Sequence, residues 1–118
     1  MSDPQSAYIA RVLAQRERWV DLGDGLRVRV RRPAEAQMGR LRATDVAAFA
    51  DFVVGWDGMT EARLFGPAQG SADVAVPFGA ELWRTVAEDH SDWLVTIANA
   101  VAEQTQKFLT EREAAAKN

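Results

Sequence analysis

The feature that most constrains this chain is the alternating run Leu26-Arg27-Val28-Arg29-Val30-Arg31, which follows Trp19-Val20-Asp21-Leu22 across Gly23-Asp24-Gly25. A period of two puts Leu26, Val28 and Val30 on one face of a strand and the three arginines on the other. Asp-Gly between two such runs supplies the positive φ values that a tight hairpin demands. The reading is therefore a β-hairpin over residues 19–32, with one greasy face to be covered.

The rest of the chain reads as helix and loop. Residues 4–18 predict a helix with Tyr8, Ile9, Val12 and Leu13 as a narrow apolar stripe, Asp3 as N-cap and Pro4 in the first turn. Pro33 ends the second strand and opens a helix through Ala34–Arg42. Thr44 reads as the N-cap of another helix reaching about Val54, burying Val46, Phe49, Ala50 and Val53 until Gly55 and Gly58 stop it. Residues 59–76 are rich in Gly, Pro, Ala and Ser and predict a long loop, of the kind that is usually functional or mobile rather than idle. A helix follows from about Gly79 to Asp89, with Leu82, Trp83 and Val86 on one face. In the last helix Leu94, Ile97, Val101, Gln104 and Phe108 alternate spacings of three and four, a short heptad-like seam. Beyond Leu109 nothing is left to bury, so that end is expected to fray or to wait for a partner. The expected fold is mainly α (α+β): an N-terminal β-hairpin packed on a small bundle of four to five helices, one domain over residues 1–118.

Composition narrows the function. A hydrophobic fraction of 47% with four Trp and five Phe can build one core. The absence of cysteine removes disulfides, thiolate metal sites and cysteine nucleophiles. No apolar run approaches the ~20 residues that span a bilayer, and the polar start Met1-Ser2-Asp3-Pro4-Gln5 has no signal-peptide character, so a cytoplasmic location is expected.

Charge is unevenly placed. Residues 1–42 hold nine Arg against five Asp/Glu, whereas residues 43–118 hold five Lys/Arg against twelve Asp/Glu. Such asymmetry marks either an intermolecular contact or two halves that neutralise each other across the fold. The stripe of Arg27, Arg29 and Arg31 has three readings: a solvated, edge-protecting face, a contact for an acidic protein, or a track for phosphates. Nucleic acid is disfavoured, since no Phe or Tyr interleaves with the arginines as a stacking platform.

No catalytic constellation emerges. The sole histidine, His90, lies in Asp89-His90-Ser91-Asp92, where consecutive residues do not converge on one reacting atom, and turn and N-cap chemistry explains the cluster. Its carboxylates lack any repeating metal-ligand spacing. The stretches Gly23-Asp24-Gly25 and Gly66-Pro67-Ala68-Gln69-Gly70 lack the Gly-Lys-Ser/Thr of a phosphate-binding loop. No catalytic, cofactor-binding or metal residue is assigned. Trp83 and Trp93 read as core, while Trp56, between two glycines, either covers the long loop or stands open as a partner anchor.

Taken in order, Arg31-Arg32-Pro33, Val53 through Glu61, Val76-Pro77-Phe78, and Trp83 through Leu94 resemble small tail assembly chaperones of long-tailed bacteriophages and prophages. The likeness covers roughly residues 26–101. Where such relatives commonly open the penultimate helix with Phe-Ser or Phe-Asp, this chain has Phe78-Gly79, and it has Asp89-His90 where Asp-Arg often stands. The resemblance implies a non-enzymatic protein without cofactor, which shields the tape measure protein until tail tube protein polymerises around it; a homo-oligomer is a separate reading that the resemblance does not decide. Contact residues expected on this reading are Trp56, Phe65 in the 59–76 loop, the seam Leu94, Ile97, Val101 and Phe108, and the arginines Arg27, Arg29 and Arg31. The alternative is an adaptor that binds an acidic protein or nucleic acid through the arginine hairpin.

Overall fold

In a computed structural model, which describes residues 3–39 and 46–117, the chain has a mixed α/β fold built on an N-terminal hairpin. Helix α1 spans Pro4–Gln15, with the Asp3 carboxylate accepting from the Gln5 amide at 3.1 Å and Pro4 in the first turn, as its sequence dictates. The helix was expected to reach residue 18. It ends three residues earlier because β1, Glu17–Gly23, claims that stretch for pairing with β2, Leu26–Arg31. The turn between the strands uses Gly23, Asp24 and Gly25 at φ of 99°, 53° and 83°. Asp24 tolerates that region through its short polar side chain, which is what the Gly-Asp-Gly pattern calls for.

The hairpin is not alone. Residues 46–54 were expected to continue a helix, but a 3₁₀ helix, Val46–Phe52, gives way to a third strand, β3, Val53–Asp57. β3 pairs antiparallel with β2, so the sheet order is β1-β2-β3. The register shifts between Arg29 and Val30, where β3 carries an extra residue and bends. Of the helix expected over 34–42, the described part holds a single turn, α2, Glu35–Met38, and residues 40–42 lie outside the described residues. The N-cap assigned to Thr44 lies outside the described residues. Within the expected loop, α3 spans Glu61–Phe65, capped by Thr60, and Thr60 bridges to Ala75, so the segment folds back on itself.

Helix α4, Ala80–Ala87, and α5, Ser91–Ala116, lie where periodicity placed them. α5 runs to Ala116 rather than fraying after Leu109, since alanine, glutamate, arginine and lysine carry high helix propensity. Its 26 residues extend about 39 Å at 1.5 Å per residue.

One core joins these parts. The inner face of the sheet (Val20, Val28, Val30, Val53) packs on Phe49 and Ala50 of the 3₁₀ helix, Trp83 and Ala87 of α4, and Leu94, Ile97, Ala100 and Val101 of α5. The architecture is thus a three-stranded sheet covered on one face by three helices, not a bundle of four or five with an added hairpin. Helix α1 buries no residue at all.

Candidate partner-binding surface

The expected contact residues separate into three groups once the fold is in place. Leu94, Ile97 and Val101 are sealed in the core, Ile97 and Val101 fully. The seam is real as a pattern, but it packs inside this chain, against the 3₁₀ helix, α4 and the inner face of the sheet, so these three residues are not free to dock another protein. Phe108, further along the same seam, is half-buried beneath the Arg32 guanidinium, 3.9 Å from its ring centroid.

Trp56 is placed on β3, not at a helix end. Opposite Val28, it turns toward the core side, where its ring meets Phe78 edge-on at 5.3 Å and Trp83 at 6.5 Å. Its indole N–H donates to the Val76 carbonyl at 2.7 Å. Of the two readings open to it, cover for the 59–76 segment is what these contacts describe. Trp83 then stacks on Trp93 at 6.0 Å with planes 7° apart, and His90 stacks on Trp93 at 3.6 Å.

The arginine stripe does lie on the outer face of the sheet, and each member has an acidic neighbour. Arg27 donates to Asp57 at 3.1 Å; Arg29 and Arg31 share Glu17 at 3.4 and 2.7 Å. Trp19 lies beneath Arg27 and Arg29, at 4.4 and 5.9 Å. Glu17 is the most enclosed of these groups, its side chain 14% exposed. Gly55 on the edge strand β3 pairs with Arg29, and a Cβ there would sit 3.4 Å from the guanidinium, at ordinary contact distance. The stripe is therefore largely answered within the molecule, three arginines sharing two carboxylates; Glu17 lies in the same basic stretch as Arg29 and Arg31, and the Arg27–Asp57 pair joins the two charge halves.

What remains open to another molecule is elsewhere. Phe65, at the end of α3, is 62% exposed. On α1, Tyr8, Ile9 and Val12 are 64%, 58% and 49% exposed and share one side of the helix at spacings of one and four. A 12-residue helix is marginal in water without packing, yet the apolar stripe on it stands largely open to solvent. The stripe was legible in the sequence; its exposure was not, because amphipathic periodicity says which side is apolar but not what covers it.

Among the described residues no group of three acidic or histidine side chains is placed to hold a metal ion, and no helix is long and apolar enough to cross a membrane. Comparison with models of protein families, with characterised proteins and with solved structures gives no match.

Proposed function

We propose that this protein is a non-enzymatic binding protein, a tail assembly chaperone that shields the tape measure protein in the bacterial cytoplasm until tail tube protein assembles around it. The observation that carries the reading is the uncovered stripe of α1, Tyr8, Ile9 and Val12, on a helix with no buried residue. A long amphipathic client presents apolar faces that aggregate unless covered, and a helix with anchors at these spacings covers them side by side. Phe65 adds a second apolar point. Small contacts of this kind bind weakly per copy, and many copies along one client supply avidity while still permitting release. The motif likeness over residues 26–101 supports the choice of client.

The adaptor reading through Arg27, Arg29 and Arg31 draws less support, since their carboxylate partners lie within the molecule. The deciding experiment is co-expression with a tape measure protein that is insoluble alone. The wild-type chain is expected to carry it into the soluble fraction and to co-purify with it, and the double variant Ile9→Glu, Val12→Glu to lose both effects. A client that stays in the pellet with the wild-type chain refutes the proposal.

A further inference from the structure

At the open end of the hairpin two arginines face each other without an acidic partner. The Arg32 amide donates to the Arg16 carbonyl at 2.8 Å, continuing the β1–β2 pairing by one step beyond Glu17 and Arg31. Arg16 and Arg32 therefore stand directly across from one another, an arrangement in which like charges repel. Among the described residues neither guanidinium forms an ion pair, whereas Arg31 beside them is held by Glu17. Glu35, the acidic residue nearest in influence, is bonded to Arg112 at 2.7 Å. Arg32 is half-buried, donates to the Pro33 carbonyl at 2.9 Å and rests on Phe108. Its hold on its proton is lowered, first by burial and then by Arg16, with Glu35 opposing.

Both arginines, together with the Glu17-paired Arg31, line a groove of about 410 Å³ that also has an apolar wall of Leu13, Pro33, Phe52 and Val54. The one carboxylate on that wall, Asp51, is engaged by Arg84. The Gln37 carbonyl oxygen accepts from the Ala34 amide and is likewise occupied. Two arginines without an ion-pair partner among the described residues remain next to an apolar wall.

We infer that this groove receives an acidic-apolar segment of a partner protein, one carboxylate bridging Arg16 and Arg32 while a neighbouring aliphatic side chain lies on Leu13, Phe52 and Val54. A carboxylate suits paired, planar guanidiniums, and relieving their repulsion favours binding beyond the new contacts themselves. A nucleic-acid backbone would satisfy the charges but leave the apolar wall without a partner. The acidic-protein contact that the alternation of Arg27, Arg29 and Arg31 suggested is thereby moved to the end of the hairpin, where the arginines are not already answered. The inference does not depend on the identity of the client that meets α1.

The test uses the full chain and two labelled hexapeptides, acetyl-Leu-Glu-Leu-Leu-Glu-Leu-amide and the same peptide with lysine for glutamate, followed by fluorescence anisotropy. Saturable binding of the acidic peptide is expected, weakening tenfold or more in Arg16→Gln and in Arg32→Gln but less than twofold in Arg27→Gln. The lysine peptide should not bind, and Phe52→Leu should weaken the acidic one while leaving the circular dichroism spectrum unchanged. Arg16→Lys, which keeps the charge but not the fork, should recover part of the affinity. No binding of the acidic peptide up to millimolar concentration overturns the inference. So does binding equal in Arg16→Gln, Arg32→Gln and wild type, or displacement by inorganic phosphate at equal concentration.

Discussion

The indole N–H of Trp83 donates a 2.9 Å hydrogen bond to the Ala50 carbonyl, joining positions 33 apart in sequence and tying α4 to the 3₁₀ helix inside the core. Trp83 is 1% exposed. Replacing it with Phe keeps most of the apolar area but leaves a buried carbonyl without its donor, a cost of about 1–3 kcal/mol. Trp83→Ala adds a cavity and should cost about 3–5 kcal/mol. Urea denaturation monitored by circular dichroism should place the variants in that order, with Trp83→Ala the less stable.

The α1 stripe and the α5 seam have similar compositions, so substitutions should separate them. Ile97→Ala is expected to cost about 2–5 kcal/mol, since the side chain is wholly buried. Ile9→Ala should change stability by less than about 0.5 kcal/mol, as expected for an exposed site. Thermal melts of the two variants measure the difference; a large loss in Ile9→Ala would mean that α1 is packed after all.

On the outer face, Glu17 should matter more than Asp57. Glu17 accepts from Arg31 twice, at 3.0 and 2.7 Å, and also pairs with Arg29, in a largely enclosed position. Glu17→Gln leaves two guanidiniums without their charge partner and should cost about 1–3 kcal/mol. The Asp57 pair is open to solvent, so Asp57→Asn is expected to cost no more than about 1 kcal/mol. Denaturation midpoints at low and high salt check both, and the Asp57 effect should shrink as salt rises.

Two glycines with similar backbones should respond differently to alanine. Gly58 and Gly23 have φ of 88° and 99°, so both substitutions strain the chain. A Cβ on Gly58 would also collide with the Gly25 carbonyl oxygen, whereas one on Gly23 meets nothing. Gly58→Ala should therefore lose more stability than Gly23→Ala, by more than about 1 kcal/mol. Chemical denaturation of the pair reads the collision directly.

Trp56 should act on the 59–76 segment rather than on the whole fold. Trp56→Phe removes the bond to the Val76 carbonyl but keeps a ring near Phe78. Amide exchange at Val76, whose N–H bonds to the Met59 carbonyl, should quicken, while exchange in the centre of α5 should not change.

The elements that followed from the chain's own order were those whose signals are local. Gly23-Asp24-Gly25 admits few turns, the alternation from Leu26 to Arg31 has one pleated solution, and the spacing of Leu94, Ile97 and Val101 requires a helix with one apolar side. The misreading at Val53–Asp57 arose because Val46, Phe49, Ala50 and Val53 fit a helical stripe. Strand pairing with β2 prevailed there through hydrogen bonds to residues 23 to 30 positions away, which no local window contains. The same distance separates a pattern from its partner. Periodicity gave both α1 and α5 an apolar side; the sheet has one inner face, the 3₁₀ helix, α4 and α5 cover it, and α1 is left with its stripe toward solvent. Likewise an arginine's neighbours in sequence do not say which carboxylate another strand will bring to it: Glu17 on β1 meets Arg29 and Arg31, Asp57 on β3 meets Arg27, and Arg16 and Arg32 form no ion pair among the described residues.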